Sequence, residues 1–236
     1  MIDKSSPNKS NPTAEAAMAR HVEAIRRITV DHEYAYDSDG LMTKKLEFMA
    51  SQCSMVLDIG QSTRDKVKLF EQRQIESMNI NLEETPADII DDICAPSRLQ
   101  YERYDGIVCL SVLEHVYDPF AAIREIFRLL QPGGYLFLHL PFLFRYHAPQ
   151  DLSFTDSYRF SRDGIAWLLR DFSEVTLYSI RGPYSSIFNL HRGWKKSVEK
   201  HLGMAPTRWL DRVGIRFFSR PTSELQVSGY YAWANK

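Results

Sequence analysis

The chain has 236 residues, with 29 Lys and Arg against 30 Asp and Glu, for a formal net charge of −1. That balance excludes the basic footprint of a protein that works by neutralising phosphates, so nucleic acid is not an expected partner. With 44% hydrophobic and 25% charged residues, and no apolar run near the ~18 to 20 residues of a membrane-spanning helix, the composition is that of an ordinary globular protein. The opening MIDKSSPNKSNPT has no apolar signal-peptide core, and a cytoplasmic location is the expectation. Cys53, Cys94 and Cys109 are odd in number and lack a C-x-x-C spacing, so neither a disulfide framework nor a metal site is expected.

Residues 1–12 combine Ser, Asn, Pro and Lys with almost nothing apolar and read as a disordered tail. Residues 13–50 read as two helices. Met18, Val22, Ile25 and Thr29 form the apolar stripe of the first, over Ala14 to Val30, and Met42, Leu46 and Met49 that of the second, over Leu41 to Ala50. The rhythm then changes for residues 51–236. Met55 to Gly60 is a short buried strand ending in Asp and Gly, a helical stretch with Val67, Leu69 and Phe70 follows, and a strand runs from Ile75 to Ile80. Strand, helix and strand within about 25 residues imply a parallel βαβ unit.

The pattern repeats with a strand from Tyr104 to Leu110 and a helix opened by Asp118 as cap and Pro119 at its first position. Phe120, Ile123, Phe127 and Leu130 form that helix's stripe, Gln131-Pro132-Gly133-Gly134 stops it, and Tyr135 to Leu140 is the next strand. A helix over Ser161 to Arg170 and strands over Val175 to Ile180 and Gln226 to Ala234 complete a doubly wound α/β domain.

Ligands of open parallel sheets bind beyond the carboxyl ends of the strands, where strand order reverses. The turn Asp58, Gly60, Gln61, Ser62, Thr63, Arg64 occupies such a place, and Gly60 allows close approach of the main chain. Ser62 and Arg64 stand where further glycines belong to a dinucleotide loop, so an ordinary strand-to-helix turn is the competing reading. Twenty-one residues after Asp58, where an acid commonly meets a ribose hydroxyl, stands Asn79. Asp91-Asp92-Ile93 follows a third short strand, where a carboxylate can accept from an adenine amino group or merely be solvated.

V-L-D-I-G at 56–60, D-D-I at 91–93, Y-D-G-I-V-C-L-S-V-L-E-H-V at 104–116 and L-L-Q-P-G-G-Y-L-F-L at 129–138 together resemble the ordered motifs of class I S-adenosylmethionine-dependent methyltransferases. H-A-P-Q-D-L-S-F-T-D-S-Y-R-F-S at 147–161 resembles a bacterial branch of methyltransferase type 11-like proteins associated with surface-polysaccharide assembly. The resemblance implies a Rossmann-like, doubly wound, mostly parallel seven-stranded sheet, to which the residue pattern itself adds N-terminal helices and a helical insertion before the last strand. It also implies S-adenosylmethionine as cofactor and S-adenosylhomocysteine as product. By position, Asp58 and Gly60, with Ile59 and Ser62 beside them, would line the methionine part of the cofactor. Asn79 and Ile80 would meet the ribose, Asp92 and Ile93 the adenine, and Leu110, Ser111 and Glu114 the sulfonium, with His115 adjacent.

Methyl transfer from a sulfonium needs alignment and a dry pocket, and a base where the acceptor is a hydroxyl. The loop from Pro141 to Phe160 is the expected acceptor wall, aromatic with interspersed polar groups suited to a sugar or ring. His147 is its natural general base, with Asp151 or Asp156 to orient or replace it; Arg159 and His115 are further candidates. The structural alternative is that His147 and Arg159 pin the loop. Residues 181–225 hold nine Lys or Arg and three acids, leaving the remainder at −7. Basic faces there accompany apolar residues at helical spacing (Ile187, Trp194, Val198, Leu202, then Trp209, Val213, Phe217). Contact with an anionic acceptor or the inner face of the membrane is one reading, and a helical insertion packed on the sheet or on a second copy in a homodimer is the other. The expected function is O-methylation of a sugar, glycan-linked or other small-molecule hydroxyl. A catalytically silent methyltransferase-like scaffold is the alternative, motivated by Asn79 and the glycine-poor loop.

Overall fold

A computed structural model of the chain describes residues 12–31, 34–71, 74–80, 86–96, 98–151, 153–190, 201, 205–218 and 226–236. The expected tail, up to residue 11, lies outside the described residues, as do Arg192, Lys195, Lys196, Lys200 and Arg220 of the basic segment. Helices α1 (Pro12–Arg27) and α2 (Ser38–Gln52) flank the short strand β1 (Thr29–Asp31). The sheet continues with β2 (Val56–Ile59), β3 (Ile75–Asn79), β4 (Ile89–Ile90), β5 (Tyr104–Leu110) and β6 (Leu130–Pro141). Between β5 and β6 lies α3 (Pro119–Leu129); α4 (Arg162–Leu168), β7 (Glu174–Ile180), α5 (Ile187–Leu190), α6 (Ala205–Phe218) and β8 (Gly229–Asn235) follow.

The strands form one sheet in the order β1-β7-β8-β6-β5-β2-β3-β4. All neighbours are parallel except β8, which runs antiparallel between β6 and β7. The expected seven strands are present, and an eighth joins the edge: Thr29–Asp31, read from the sequence as a helix end, pairs with Thr176–Tyr178. Thr and Val are β-branched and lose little on leaving the helix once an open edge offers them hydrogen bonds. Strand order reverses between β2 and β5, so their adjacent carboxyl ends form the crevice where ligands of such sheets bind.

Burial explains why these elements form. The strand faces of β2, β5 and β6 carry Leu57, Ile107, Cys109, Leu136 and Leu138, all at or near zero exposure, with Ile126 and Leu129 of α3 packed on one side. On the other side Leu46 and Met49 of α2 cover Val56, Val108 and Phe137. The capping expectation for α3 is met: Asp118 accepts from the Ala121 N–H and Pro119 opens the helix. Its buried stripe differs from the expected one, running through Ala122, Ile123, Ile126 and Leu129, while Phe120 is 40% exposed and Leu130 already belongs to β6. In α1, Met18 and Val22 face outward; the helix instead docks on α4 by Ala24 and by His21, which meets the Asp163 carbonyl at 3.0 Å and the Trp167 ring. The expected helix after β2 is a six-residue 3-10 turn, Arg64–Leu69. The Gln131–Gly134 stop is absorbed within β6 as a register shift against β5. Among the described residues no helix is long and apolar enough to cross a membrane.

Part of the basic segment is described, and it packs. The α6 residue Asp211 is 1% exposed and accepts from the N–H groups of Gly182, Tyr184 and Ser185 at 2.9–3.0 Å and from the Tyr36 hydroxyl at 2.7 Å. Burial and this carboxylate hold the Tyr36 phenol well above its ordinary range. Gly214 lies against Tyr184 so closely that a Cβ would sit 2.4 Å from the ring. Arg208, Trp209, Arg212, Arg216 and Phe217 remain exposed on the same helix.

Candidate functional site

At the end of β2 the Asp58 carboxylate, 3% exposed, turns back on its own loop. It accepts from the Ser62 N–H and hydroxyl, both at 2.8 Å, and from the Thr63 N–H and hydroxyl. Burial raises its pKa despite those bonds. Asp58 therefore shapes the loop, and Ser62, one of the residues standing where a glycine was expected, closes it with both its donors. Gly60 has φ +72°, and a Cβ there would lie 2.7 Å from Val112 Cγ2. Gln61 and Arg64 share the left-handed region at φ 48° and 53°, which costs a residue with a side chain about 1–2 kcal/mol.

Ile59 is buried beneath this turn. Asn79 ends β3 with its side-chain oxygen accepting from the Ile80 N–H at 2.8 Å, and Ile80 projects outward at 66% exposure. Asp92 follows β4. One carboxylate oxygen accepts from the Cys94 N–H and the other from the Tyr117 hydroxyl, both at 2.8 Å, and that bond pushes the Tyr117 phenol up to about 12. Ile93 is buried beside it.

Beyond β5, Leu110 is buried and Ser111 takes φ 57°, with its hydroxyl 2.6 Å from His139 Nδ1 of β6. Burial lowers the His139 pKa to about 4, so this imidazole is neutral near pH 7. Leu110, Ser111, His139 and Phe144 line a cleft of about 300 Å³, together with Asp39 of α2 and Arg181 after β7.

The next turn carries the densest group of titratable side chains. Glu114 is 1% exposed, its Oε2 has no hydrogen-bond partner among the described residues, and burial raises its pKa to about 7. Its Oε1 lies 3.8 Å from His115 Nε2 and 4.0 Å from His147 Nε2, and the two Nε2 atoms are 3.2 Å apart. His115 Nδ1 faces the Thr155 carbonyl, which can only accept, so this nitrogen carries the proton. His147 Nδ1 faces Asp156 Oδ2 at 3.1 Å and the Arg145 carbonyl at 3.3 Å, and is a donor for the same reason. The two Nε2 atoms then face each other 3.2 Å apart, and burial lowers the His115 pKa, which favours its neutral form.

Asp156 orients His147 through Nδ1 and its backbone N–H, and the Arg159 guanidinium, bonding both carboxylate oxygens, holds the acid down at about 2. Arg159 also donates to the carbonyls of Phe144, Arg145 and Tyr158. It pins the loop and does not face the cleft. The structure separates Asp151 from this group: it sits on an exposed turn, accepting from the Ser153 N–H at 3.1 Å, because the loop enters the interior only at Asp156. Of the acids weighed for orienting His147, Asp156 is the one in place. Glu114, His115 and His147 present their ligand atoms within 4.8 Å of one another.

Sequence reasoning missed His139, Tyr117 and Val112. His139 had a signal, a lone polar residue within the apolar run from Leu136 to Leu140. Tyr117 and Val112 had none, because their roles depend on Asp92 and Gly60 approaching from other strands.

Comparison with known proteins places this geometry. Residues 23–174 match the model of a methyltransferase domain. Ubiquinone biosynthesis O-methyltransferases match over short stretches: that of Xanthomonas oryzae pv. oryzae is 47% identical over 49 residues, 21% of this chain and 19% of the relative. That of Pseudomonas savastanoi pv. phaseolicola is 50% identical over 36 residues, 15% of this chain and 16% of the relative. The chain thus spans about a fifth or less of the curated relatives it matches. An S-adenosylmethionine-dependent methyltransferase structure from Archaeoglobus fulgidus superposes with TM-score 0.50 at 14% identity, covering 84% of this chain and 95% of that one. A Haemonchus contortus phosphoethanolamine N-methyltransferase 2, bound to phosphomonomethylethanolamine and S-adenosylhomocysteine, gives TM-score 0.50 at 13% identity, covering 83% of this chain and 52% of that one. The two structures share the fold, and the family match spans well over half of the chain. This chain belongs to the methyltransferase-domain family.

Proposed function

We propose that the protein transfers a methyl group from S-adenosylmethionine to a hydroxyl of a small-molecule acceptor. The observation that carries the reading is one juxtaposition at the carboxyl ends of β2 and β5. The Gly60 turn at the end of β2 lies against Val112 after β5, and the same turn after β5 carries Glu114 and His115, whose Nε2 lies 3.2 Å from that of His147. The residues fit the cofactor. Gly60, with no Cβ, leaves the backbone of its turn bare, and Asn79, Asp92 and Glu114 supply the acceptor oxygens that a cationic, hydroxyl-bearing and amine-bearing ligand requires.

When bound, S-adenosylmethionine supplies an electrophilic methyl group. Leu110, Ser111 and Glu114 would stand nearest that methyl, Asp92 with Ile93 would hold the adenine, and Asn79 the ribose. Alignment within such a pocket can lower the barrier by about 7–11 kcal/mol. A hydroxyl must shed its proton as the methyl arrives, and His147 takes it, oriented by Asp156 and backed by His115 and Glu114; such a base contributes about 10²- to 10⁴-fold. The need for a base favours oxygen as the acceptor atom, and the names of the curated relatives are those of O-methyltransferases. The relatives named above give no support for a glycan acceptor, and the proposed acceptor class is a small-molecule hydroxyl.

Titration calorimetry with S-adenosylmethionine and S-adenosylhomocysteine tests the reading. Binding of both below about 1 mM is expected, the upper end of ordinary KM values. No heat from either at that concentration overturns the enzyme and leaves a methyltransferase-like scaffold.

A further inference from the structure

The Glu114, His115 and His147 cluster holds one carboxylate oxygen and two imidazole nitrogens around a single point. We propose that this cluster is a binding site for one first-row divalent cation of the zinc, cobalt or manganese kind. The proposal deepens the methyl-transfer reading, resting on it only for the cation's role toward the acceptor oxygen.

Three features point to a cation. With each Nδ1 committed as a donor, the two Nε2 atoms converge at 3.2 Å, a gap that either one shared proton or a metal cation bridges. With ligand distances of about 2.0–2.1 Å, neighbouring ligand atoms stand about 3.0–3.4 Å apart, so the pair already has the spacing that coordination requires. Glu114 is buried with Oε2 unpartnered, a position a carboxylate occupies at considerable cost unless a counter-charge is present. Its Oε1 is 3.8 and 4.0 Å from the two nitrogens, and a shift of about half an ångström completes the set. Finally, each histidine donates its other N–H to an oxygen, His115 to the Thr155 carbonyl and His147 to Asp156. This outer arrangement fixes the tautomer and raises ligand basicity in metal sites.

The donor set selects the ion. Two imidazoles and one carboxylate suit borderline first-row cations, whereas magnesium and calcium take oxygen ligands. Three protein ligands leave coordination positions open. Phe144 lines the cleft and also packs edge-on against His147, with ring centroids 5.5 Å apart, so the cleft and the cluster share one wall. In the loaded site the Nε2 lone pairs of His115 and His147 sit on the cation and take no proton, so the cation, by lowering the pKa of a bound acceptor hydroxyl, replaces the base role given above to His147, and the released proton passes to solvent.

The test uses the full chain, stripped with a chelator and desalted. Added Co²⁺ is followed by its visible absorption, and Zn²⁺ affinity is measured by competition with a chromogenic chelator. One equivalent of either is expected to bind, with excess Mg²⁺ failing to displace it. His147→Ala and Glu114→Gln should each weaken Zn²⁺ at least 100-fold, Asp156→Asn about 10- to 100-fold, and the surface variant Asp171→Asn not at all. Circular dichroism checks folding, and His115→Gln replaces any variant that fails to fold. Absence of stoichiometric Co²⁺ absorption overturns the site, as does absorption that persists unchanged in a folded His147 or His115 variant; a histidine pair sharing one proton is then what the geometry represents. Calorimetry with S-adenosylmethionine on the same samples keeps the two ideas apart. Metal binding without cofactor binding removes the methyl-transfer reading and keeps the site, and the reverse removes the site alone.

Discussion

Replacing Gly60 with alanine meets two separate obstacles, and the structure allows them to be measured apart. At φ +72° any side chain costs about 1–2 kcal/mol through contact with the following carbonyl. The new Cβ would also lie 2.7 Å from Val112 Cγ2, against an optimal carbon separation of about 3.5–4.0 Å. Forcing such a group into packed surroundings costs about 1–3 kcal/mol more. Gly60→Ala should therefore lose about 2–5 kcal/mol, a large share of the 5–15 kcal/mol typical of a native protein. Val112→Ala alone should lose about 1–2 kcal/mol at ~0.8 kcal/mol per buried carbon. Combined with Gly60→Ala it removes the clash, so the double variant should be about 1–3 kcal/mol more stable than the sum of the singles, with the backbone cost remaining. Urea unfolding followed by tryptophan fluorescence gives all four corners of the cycle. The reasoning is refuted by a Gly60→Ala loss under about 0.5 kcal/mol, or by additivity within about 0.5 kcal/mol.

Two further outcomes follow from buried polar groups. His139 has a folded-state pKa of about 4 against about 6.5 unfolded, so the unfolded chain binds more protons between these values. Its contribution to stability is present above pH 6.5 and lost as pH falls towards 4. The full shift corresponds to about 3 kcal/mol, discounted to about 1–2 for a partly exposed ring. Urea unfolding at pH 7 and pH 4 should show that much less loss in His139→Gln, and an equal loss contradicts the assignment. Asp211→Ala leaves three backbone N–H groups and the hydroxyls of Ser185 and Tyr36 without their acceptor. Each buried orphan costs about 1–3 kcal/mol, and release of α6 into water caps the loss near 2–4. Trypsin should then cut at Arg208, Arg212 and Arg216 at least tenfold faster, and an unchanged rate contradicts the docking role of Asp211.

How far the site was legible follows from how local each signal is. The Asp58–Gly60 turn is a strand end followed by the one residue that tolerates φ +72°, and such signals survive in a single sequence. Asp156 and Arg159 are three apart, yet which acid would meet His147 was undecided between Asp151 and Asp156, because the choice depends on where the loop re-enters the interior. Arg159 is legible as a cation near acids, but its bonds to the carbonyls of Phe144 and Arg145 make it a loop anchor, a property of folding back and not of composition. Thr29–Asp31 was misread for a related reason: the helical stripe ended there, and only the open edge of β7 converted it to a strand.

The sequence by itself determined the α/β alternation and the capped start of α3, because apolar periodicity, Asp-Pro caps and Gly turns act over a few residues, while the methyl-transfer class came from the resemblance of its ordered motifs to a known family. The tertiary structure alone decided that His115 and His147, 32 residues apart, meet at 3.2 Å over a buried Glu114, and that Val112 rests on Gly60. It also decided how the near-neutral charge is arranged, with the Asp211 carboxylate buried at the root of a basic helix. Such contacts arise where the ends of β2, β5 and β6 are brought side by side by hydrogen bonding across the sheet, and no short-range pattern encodes that proximity.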